Sequence, residues 1–347
     1  MMNKFLRSMK LSFVCVFPAI FFFISGCGSG TRPDLKQTET VPEISNPEAL
    51  KNVKIGMSLY TLSAPYFVAL MKAAQQKTEA MGMKFVYVNA EDDINKQIAS
   101  VEDLLAQGIN LLILNPRDPK ALVQSTKSAT KAGVPVIIVD SSIDPSADFV
   151  TNILSNNLEN GELVGEWLVK NKSGEKLKIA LLSGAQGNPV GKERRQGIFR
   201  GIIEQQLRSA GQVEFEIVSQ GWGNWTYEGG LKAMEDILVA HPDVNVLVSE
   251  QDAMALGAMQ AIDEAGKSKD ILIVAGADGQ KEALKLIKEG KYGATGQNDP
   301  VQIGERAVEV AARIIAGEKD FPRIIYTPAV CISIDNVDNY YNPDAIF

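Results

Sequence analysis

The sequence predicts an α/β fold of two doubly wound parallel-sheet lobes. Three observations predict it. Short β-rich runs alternate with helix-period stretches along most of the 347 residues, the pattern of repeated βα units with helices on both faces of a sheet. Runs such as Leu111–Leu114 and Val136–Val139 are apolar throughout, as strands buried on both faces are. The pattern also occurs twice. Gln107-Gly108-Ile109-Asn110 leads into an apolar strand, and Asn115-Pro116-Arg117-Asp118 opens a helix after it. In the second half His241-Pro242-Asp243-Val244 leads into Val246–Ser249, and Glu250-Gln251-Asp252 opens the next helix. The length suits two domains of roughly 150 residues each.

The elements follow in order from an N-terminus that stands apart from the fold. Lys4, Arg7 and Lys10 precede a nearly all-apolar run from Leu11 to Ile24. That run is shorter than the roughly 20 residues a spanning helix needs and suits an export signal over residues 1–26. Ile24-Ser25-Gly26-Cys27 follows and looks like a bacterial lipobox, in which Cys27 is lipidated. A plain secretory signal with an incidental Cys27 is the alternative. Cys27 to Asn52 is polar, without sustained periodicity, and reads as a flexible tether.

Val53–Leu59 is then a strand, Tyr66–Met81 a helix ending at Gly82, and Lys84–Asn89 a strand. Asp93–Gln107 is a helix stopped by Gly108, and Asp118–Ala132 one closed by Gly133. Further strands are expected near Lys178–Leu182, Glu214–Ser219, Val246–Ser249, Ile271–Ala275 and Gly293–Gln297. Helices are expected near Asn156–Val169, Val190–Ser209, Tyr227–Ala240, Asp252–Ala265, Gln280–Glu289 and Val301–Ala316.

Composition and motifs exclude several function classes. Net charge is −7, and −10 once the leader's three cations are set aside, which argues against a protein that grips nucleic acid through phosphates. One histidine, His241, leaves no basis for a His-based metal site or a Ser-His-Asp triad; it reads as a helix terminator. Three cysteines, one of them (Cys15) in the leader, make no disulfide framework. Cys331 in Val330-Cys331-Ile332 reads as an inert buried thiol. No G-x-G-x-x-G follows a predicted strand, and Gly266-Lys267-Ser268 lacks the upstream glycine of a phosphate loop. No cofactor, no metal and no enzymatic activity are expected.

In such sheets ligands bind beyond the carboxyl ends of the strands. Those ends carry polar residues here: Asn115, Arg117, Asp140, Glu250 to Asp252, Asp278 and Asn298. Trp225 lies in a loop past a strand end and is open to two readings, packing or ligand stacking. Asn115 is open to a helix-capping role and Arg194 to a place on the surface.

Several segments resemble the ribose-binding-protein-like periplasmic sugar-binding proteins. They are Thr61-Leu62-Ser63-Ala64-Pro65-Tyr66-Phe67, Leu112-Ile113-Leu114-Asn115-Pro116, Val134-Pro135-Val136-Ile137-Ile138-Val139-Asp140, Lys192-Glu193-Arg194, Asp252-Ala253-Met254-Ala255-Leu256-Gly257-Ala258 and Gly276-Ala277-Asp278-Gly279. The resemblance spans essentially residues 53–334. It implies a type I periplasmic binding protein fold with a three-strand hinge. The N-terminal lobe would hold residues 53–155 and 299–327, the C-terminal lobe 156–298 and 328–347. It also implies roles: Tyr66 and Phe67 line one side of a sugar pocket, Trp225 faces them, and Asn115, Asp140, Arg194 and Asp278 make polar sugar contacts. The chemistry agrees, since a sugar hydroxyl both donates and accepts, and aromatic faces cover its C–H surface.

Departures bear on the ligand. Ser141 stands where ribose binders carry an arginine, Ala64 where they carry an asparagine, and Gln251 and Asn298 exchange amide lengths with them. The expected ligand is therefore a neutral hexose or polyol rather than plain ribose. With the lipobox at Cys27 supplying the lipid anchor, the resemblance implies an exported monomer that delivers this ligand to an ABC permease. The alternatives are a sugar sensor feeding a chemoreceptor or sensor kinase, and a LacI-type regulator-like fold without a DNA-binding domain.

Overall fold

The computed structural model describes residues 50–347. The leader, Cys27 and the tether up to residue 49 lie outside the described residues. No helix among those described is long and apolar enough to cross a membrane.

The first sheet is formed by β1 (Lys54–Leu59), β2 (Lys84–Asn89), β3 (Leu111–Asn115), β4 (Val136–Val139), β5 (Thr151–Ser155) and β11 (Ile324–Thr327). Its order is β11-β5-β4-β3-β1-β2, and every pairing is parallel. The second holds β6 (Leu177–Ser183), β7 (Phe215–Trp222), β8 (Val246–Ser249), β9 (Leu272–Asp278), β10 (Ala294–Gln297) and β12 (Cys331–Ser333). Its order is β12-β10-β9-β8-β6-β7, parallel except where β12 runs against β10. The two orders correspond strand for strand, so β3 has its counterpart in β8 and β4 in β9. In each sheet the chain reverses its direction of travel beside the first strand, between β1 and β3 and between β6 and β8.

Helices cover both faces of each sheet. On the first, α1 (Pro65–Ala80) and α9 (Pro300–Ile315) pack one face through Leu70, Ile303 and Ala307, while α2 (Ile94–Ala106) and α3 (Val123–Lys131) pack the other through Leu104 and Ala129. On the second, α4 (Asn157–Asn171) and α5 (Pro189–Ala210) bury Val164, Leu168, Ile198 and Ile202. α6 (Tyr227–Ala240), α7 (Asp252–Glu264) and α8 (Lys281–Lys288) bury Met234, Met254, Ile262 and Ile287 opposite them. All five residues of β3 are buried, as its unbroken apolar run requires.

One helix is shorter than its sequence pattern. The Asp118 carboxylate accepts the backbone N–H of Lys120 and Ala121, each at 2.8 Å. That local turn competes with helix, and α3 begins only at Val123. Cys331 is half-buried, and burial pushes its thiol up to about 12.

Candidate functional site

The polar residues at the strand ends meet in one network. Tyr66, at the first turn of α1, is buried. Its hydroxyl donates to Asp140 Oδ1 at 2.6 Å and lies 3.1 Å from Asn298 Oδ1. Asn298 Nδ2 donates to Asp278 Oδ1 at 3.1 Å. The same oxygen pairs with Arg194 Nη2 at 2.9 Å, both side chains being about 6% exposed. Asn115 Nδ2 donates to the Val139 carbonyl at 3.1 Å and to Asp140 Oδ2 at 3.3 Å. An unbroken chain of contacts therefore runs from Asn115 through Asp140, Tyr66, Asn298 and Asp278 to Arg194, from one sheet to the other.

Each member sits where the fold delivers it. Asn115 ends β3 and Asp278 ends β9. Asp140 follows β4 with φ of 62°, a conformation that Asp tolerates better than most residues. Arg194 projects from the first turns of α5, whose N-terminus is capped by Asn188. These are carboxyl ends of strands, with β3 and β6 (which leads into α5) flanking the reversals of chain order and β4 and β9 lying nearby in the same sheets; doubly wound sheets place ligands in this region.

Burial dominates the electrostatics. Desolvation pushes the Asp140 carboxyl up, against the opposing pull of the Tyr66 hydroxyl, Arg194 and Asn115. The Tyr66 hydroxyl is pushed well up, by burial first and then by Asp140.

The remaining predicted residues take smaller parts. Phe67 stands edge-on to Tyr66 at 5.2 Å and to Tyr60 at 4.8 Å. Ser141 presents its backbone carbonyl to Asn152 Nδ2 at 3.0 Å. Ala64 precedes α1 and caps it with no side-chain bond. Trp225 lays its ring against Gly184, so close that a Cβ there would stand 2.1 Å from it. Gln251 precedes α7, and its Oε1 is buried without a hydrogen-bond partner, as is Asn115 Oδ1.

Four further residues position these, and the sequence pattern points to only two of them, Glu250 and Asp252, without giving either a role. Gln97 donates to the Asn115 carbonyl at 2.8 Å. Asn157 Oδ1 accepts Arg194 Nε at 2.9 Å. Glu250 pairs with Arg195 and accepts the Gly184 N–H at 2.9 Å. Asp252 is the most connected of the four. Its Oδ2 accepts the N–H groups of Asp278, Gly279 and Gln280 at 2.8–3.0 Å, and its Oδ1 the Tyr292 hydroxyl at 2.8 Å. Among the described residues no group of His, Cys, Asp and Glu is arranged to hold a metal ion.

Comparison with known proteins places this geometry in context. A family model described as a periplasmic binding protein domain matches residues 55–319. The ribose import binding protein RbsB of Bacillus subtilis strain 168 is 37% identical over 275 residues, which cover 79% of this chain and 86% of that protein. Among solved structures, an ABC transporter periplasmic solute-binding protein from Actinobacillus succinogenes 130z, with bound D-allose, aligns with a TM-score of 0.75. It is 26% identical and covers 83% of this chain and 100% of that one. A solute-binding protein from Mycobacterium smegmatis with bound glycerol aligns at 0.74 and 31% identity, over 85% of this chain and 98% of that one.

Proposed function

The chain belongs to the periplasmic binding protein family, and from that premise we propose that its cleft takes one neutral monosaccharide or polyol outside the cytoplasm and delivers it to the permease of an ABC importer. The role assigned is binding and delivery, not catalysis. The observation that carries this reading is that two of the three buried side-chain carbonyl oxygens left without partners among the described residues, Asn115 Oδ1 and Gln251 Oε1, belong to the site; the third is Asn152 Oδ1 on β5. Asn115 ends β3 and Gln251 lies just past β8, the corresponding strands of the two sheets. A buried acceptor left unpaired costs about 1–3 kcal/mol, and a ligand rich in O–H donors removes that cost. Another acceptor of the site is short of a donor too, because the single phenolic proton of Tyr66 lies between Asp140 and Asn298.

Charge supports a neutral ligand. Asp140 and Asp278 face one guanidinium, Arg194, while Arg195 is taken by Glu250. An added phosphate or carboxylate would meet net negative charge. Tyr66 and Phe67 supply apolar faces for C–H surface, and Trp225 is assigned the facing wall. The relatives named above fit this class: one is a ribose import binding protein, and the two solved structures carry D-allose and glycerol, all three ligands being neutral sugars or polyols. Ser141 and Ala64 change the donor set on offer and Gln251 shifts its amide by one methylene, and these three support a hexose or polyol in preference to ribose. Residues 1–26 serve as an export signal, and Cys27 as the lipid attachment point of the mature chain. Fractionation checks this: Cys27→Ala should leave the membrane fraction or keep its leader, and unchanged behaviour would refute the anchor.

Titration calorimetry against ribose, allose, other hexoses, inositol and glycerol tests the ligand. One sugar or polyol should bind, and Asp278→Ala should weaken it. The lost bonds to a charged acceptor are worth about 2–3 kcal/mol, or roughly 30- to 150-fold. No binding across the panel, or equal binding by Asp278→Ala, would remove the assignment. Ribose as the tightest ligand by about tenfold would remove the preference alone.

A further inference from the structure

A row of aromatic rings at the site ends on a residue that nothing above assigns. Tyr60 meets Phe67, Phe67 meets Tyr66, and Tyr66 meets Phe347. Its ring stands edge-on to Tyr66, with centroids 5.1 Å apart and planes at 88°. Tyr66 belongs to the first sheet's lobe, whereas Phe347 arrives from the other. The chain leaves β12, passes a short 3-10 turn at Val337–Asn339 and packs Tyr340 and Tyr341 against the second lobe's core. Lys288 lies over the Tyr341 ring at 5.1 Å. Asn342 then turns the chain, accepting the Asp344 N–H on its side chain at 3.0 Å and the Ala345 N–H on its carbonyl at 3.2 Å. Lys281, at the start of α8 and three residues beyond Asp278, donates to the Ala345 carbonyl at 2.7 Å. The segment is thus tied to one lobe at Tyr341 and Ala345, and its next ring rests on the other lobe. It also lies beyond residue 319, where the family match ends.

We propose that residues 342–347 form a strap of the ligand site: carried by the second lobe, it seats Phe347 on Tyr66 of the first and holds the Tyr66 hydroxyl on Asp140. Phe347 is a positioning residue in this arrangement, acting on the ligand through Tyr66. Phe347 itself is only half-buried whereas Tyr66 is buried, so the strap is the outer layer and Tyr66 the inner one. A ligand held by Asp140 leaves more slowly while the strap is seated. The proposal rests on the reading that this cleft binds a sugar or polyol, and its test separates the two.

The first measurement needs no ligand. The protein has eight tyrosines, and ring-labelled tyrosine gives a resonance for each by NMR, that of Tyr66 being assigned through Tyr66→Phe. Phe347→Ala should move the Tyr66 signal by removing the ring current beside it. Phe347→Tyr, which keeps a ring, and Ile346→Ala should leave it in place. The second measurement is stopped-flow dissociation of whichever panel ligand the wild type binds. An edge-to-face pair corresponds to roughly a two- to tenfold effect, so Phe347→Ala should release ligand about that much faster, with Phe347→Tyr restoring the wild-type rate. A Tyr66 signal unmoved by Phe347→Ala, or an unchanged dissociation rate, overturns the strap. A wild type that binds nothing in the panel overturns the ligand class, and the Tyr66 shift then decides the strap alone.

Discussion

At Asp140 the needs of binding and of stability pull in opposite directions. Its carboxylate accepts from Tyr66 and Asn115, and ionised it is a strong acceptor for a ligand hydroxyl. Burial nevertheless pushes its pKa up. The native protein therefore binds this proton at a pH where the unfolded chain has released it. The group's contribution to stability is complete below the ordinary carboxylate value of about 3.9 and is lost as pH rises through the raised value. Asp140→Asn should accordingly melt above the wild type at pH 7 without ligand, and calorimetry at falling pH should show the gap closing below about pH 4. The same variant should bind the ligand about ten- to 150-fold more weakly, for the loss of a charged acceptor worth about 1.5–3 kcal/mol. A variant that melts below the wild type at pH 7 would mean that hydrogen bonding, not desolvation, governs the site. Asp140, Asn115 and Asp278 were legible in the sequence because polar residues ending apolar strands stand out. Their supports were not. Gln97 reaches Asn115 across 18 positions, Asp252 reaches Asp278 across 26 and Asn157 reaches Arg194 across 37, and no local pattern encodes such pairings.

Elements carry the site through their packing, most visibly where α4 crosses α5. Gly161 and Gly165 on one helix face Gly197 and Gly201 on the other, with backbone against backbone. A Cβ at Gly165 would stand 2.1 Å from the Ile198 carbonyl oxygen, and one at Gly201 2.0 Å from that of Glu162. This approach sets Asn157 on α4 beside Arg194 on α5. Gly165→Ala should destabilise the protein despite alanine's better helix propensity. Overpacking costs about 1–3 kcal/mol, more than the roughly 0.5–1 kcal/mol that alanine returns. Thermal melting reads the sign, and a higher Tm would show that the helices can slide apart freely. The helices themselves were legible from their 3.6-residue period and their glycine stops. The short β5, β11 and β12 were not delineated. Thr151–Ser155 and Ile324–Thr327 carry polar or half-exposed residues and no clean alternation, and they become strands because neighbouring sheet edges offer them partners. Periodicity also extended α3 back to Asp118, where a side-chain turn wins over helix.

Across the whole molecule the two sheets are joined where β5 leads into α4, where β10 leads into α9, and between β11 and β12. One buried side chain ties all three crossings together. Asn160 Nδ2 donates to Ser155 Oγ at 3.0 Å and to the Gln297 carbonyl at 2.6 Å, while its Oδ1 accepts the Val330 N–H at 2.9 Å. Ser155 Oγ in turn donates to the same Gln297 carbonyl at 3.0 Å. Ser155 belongs to the first crossing, Gln297 to the second and Val330 to the third, so the amide holds the hinge strands at fixed spacing. Asn160→Leu keeps the volume but strands the Val330 N–H and strips one donor from Gln297, at about 1–3 kcal/mol for each buried group left unpaired. The variant should melt lower by an amount corresponding to about 2–4 kcal/mol. Asn160→Asp keeps the acceptor for Val330 but loses both donated bonds and buries a charge, so it should be worse than Asn160→Leu near neutral pH and recover as acid protonates it. If the amide also sets the hinge, both variants should broaden the distribution of lobe separations seen by small-angle scattering without ligand, and bound ligand should narrow it again. Scattering identical to that of the wild type, with only the melting temperature lowered, would make Asn160 a packing residue of the second lobe and not the coupling between the lobes.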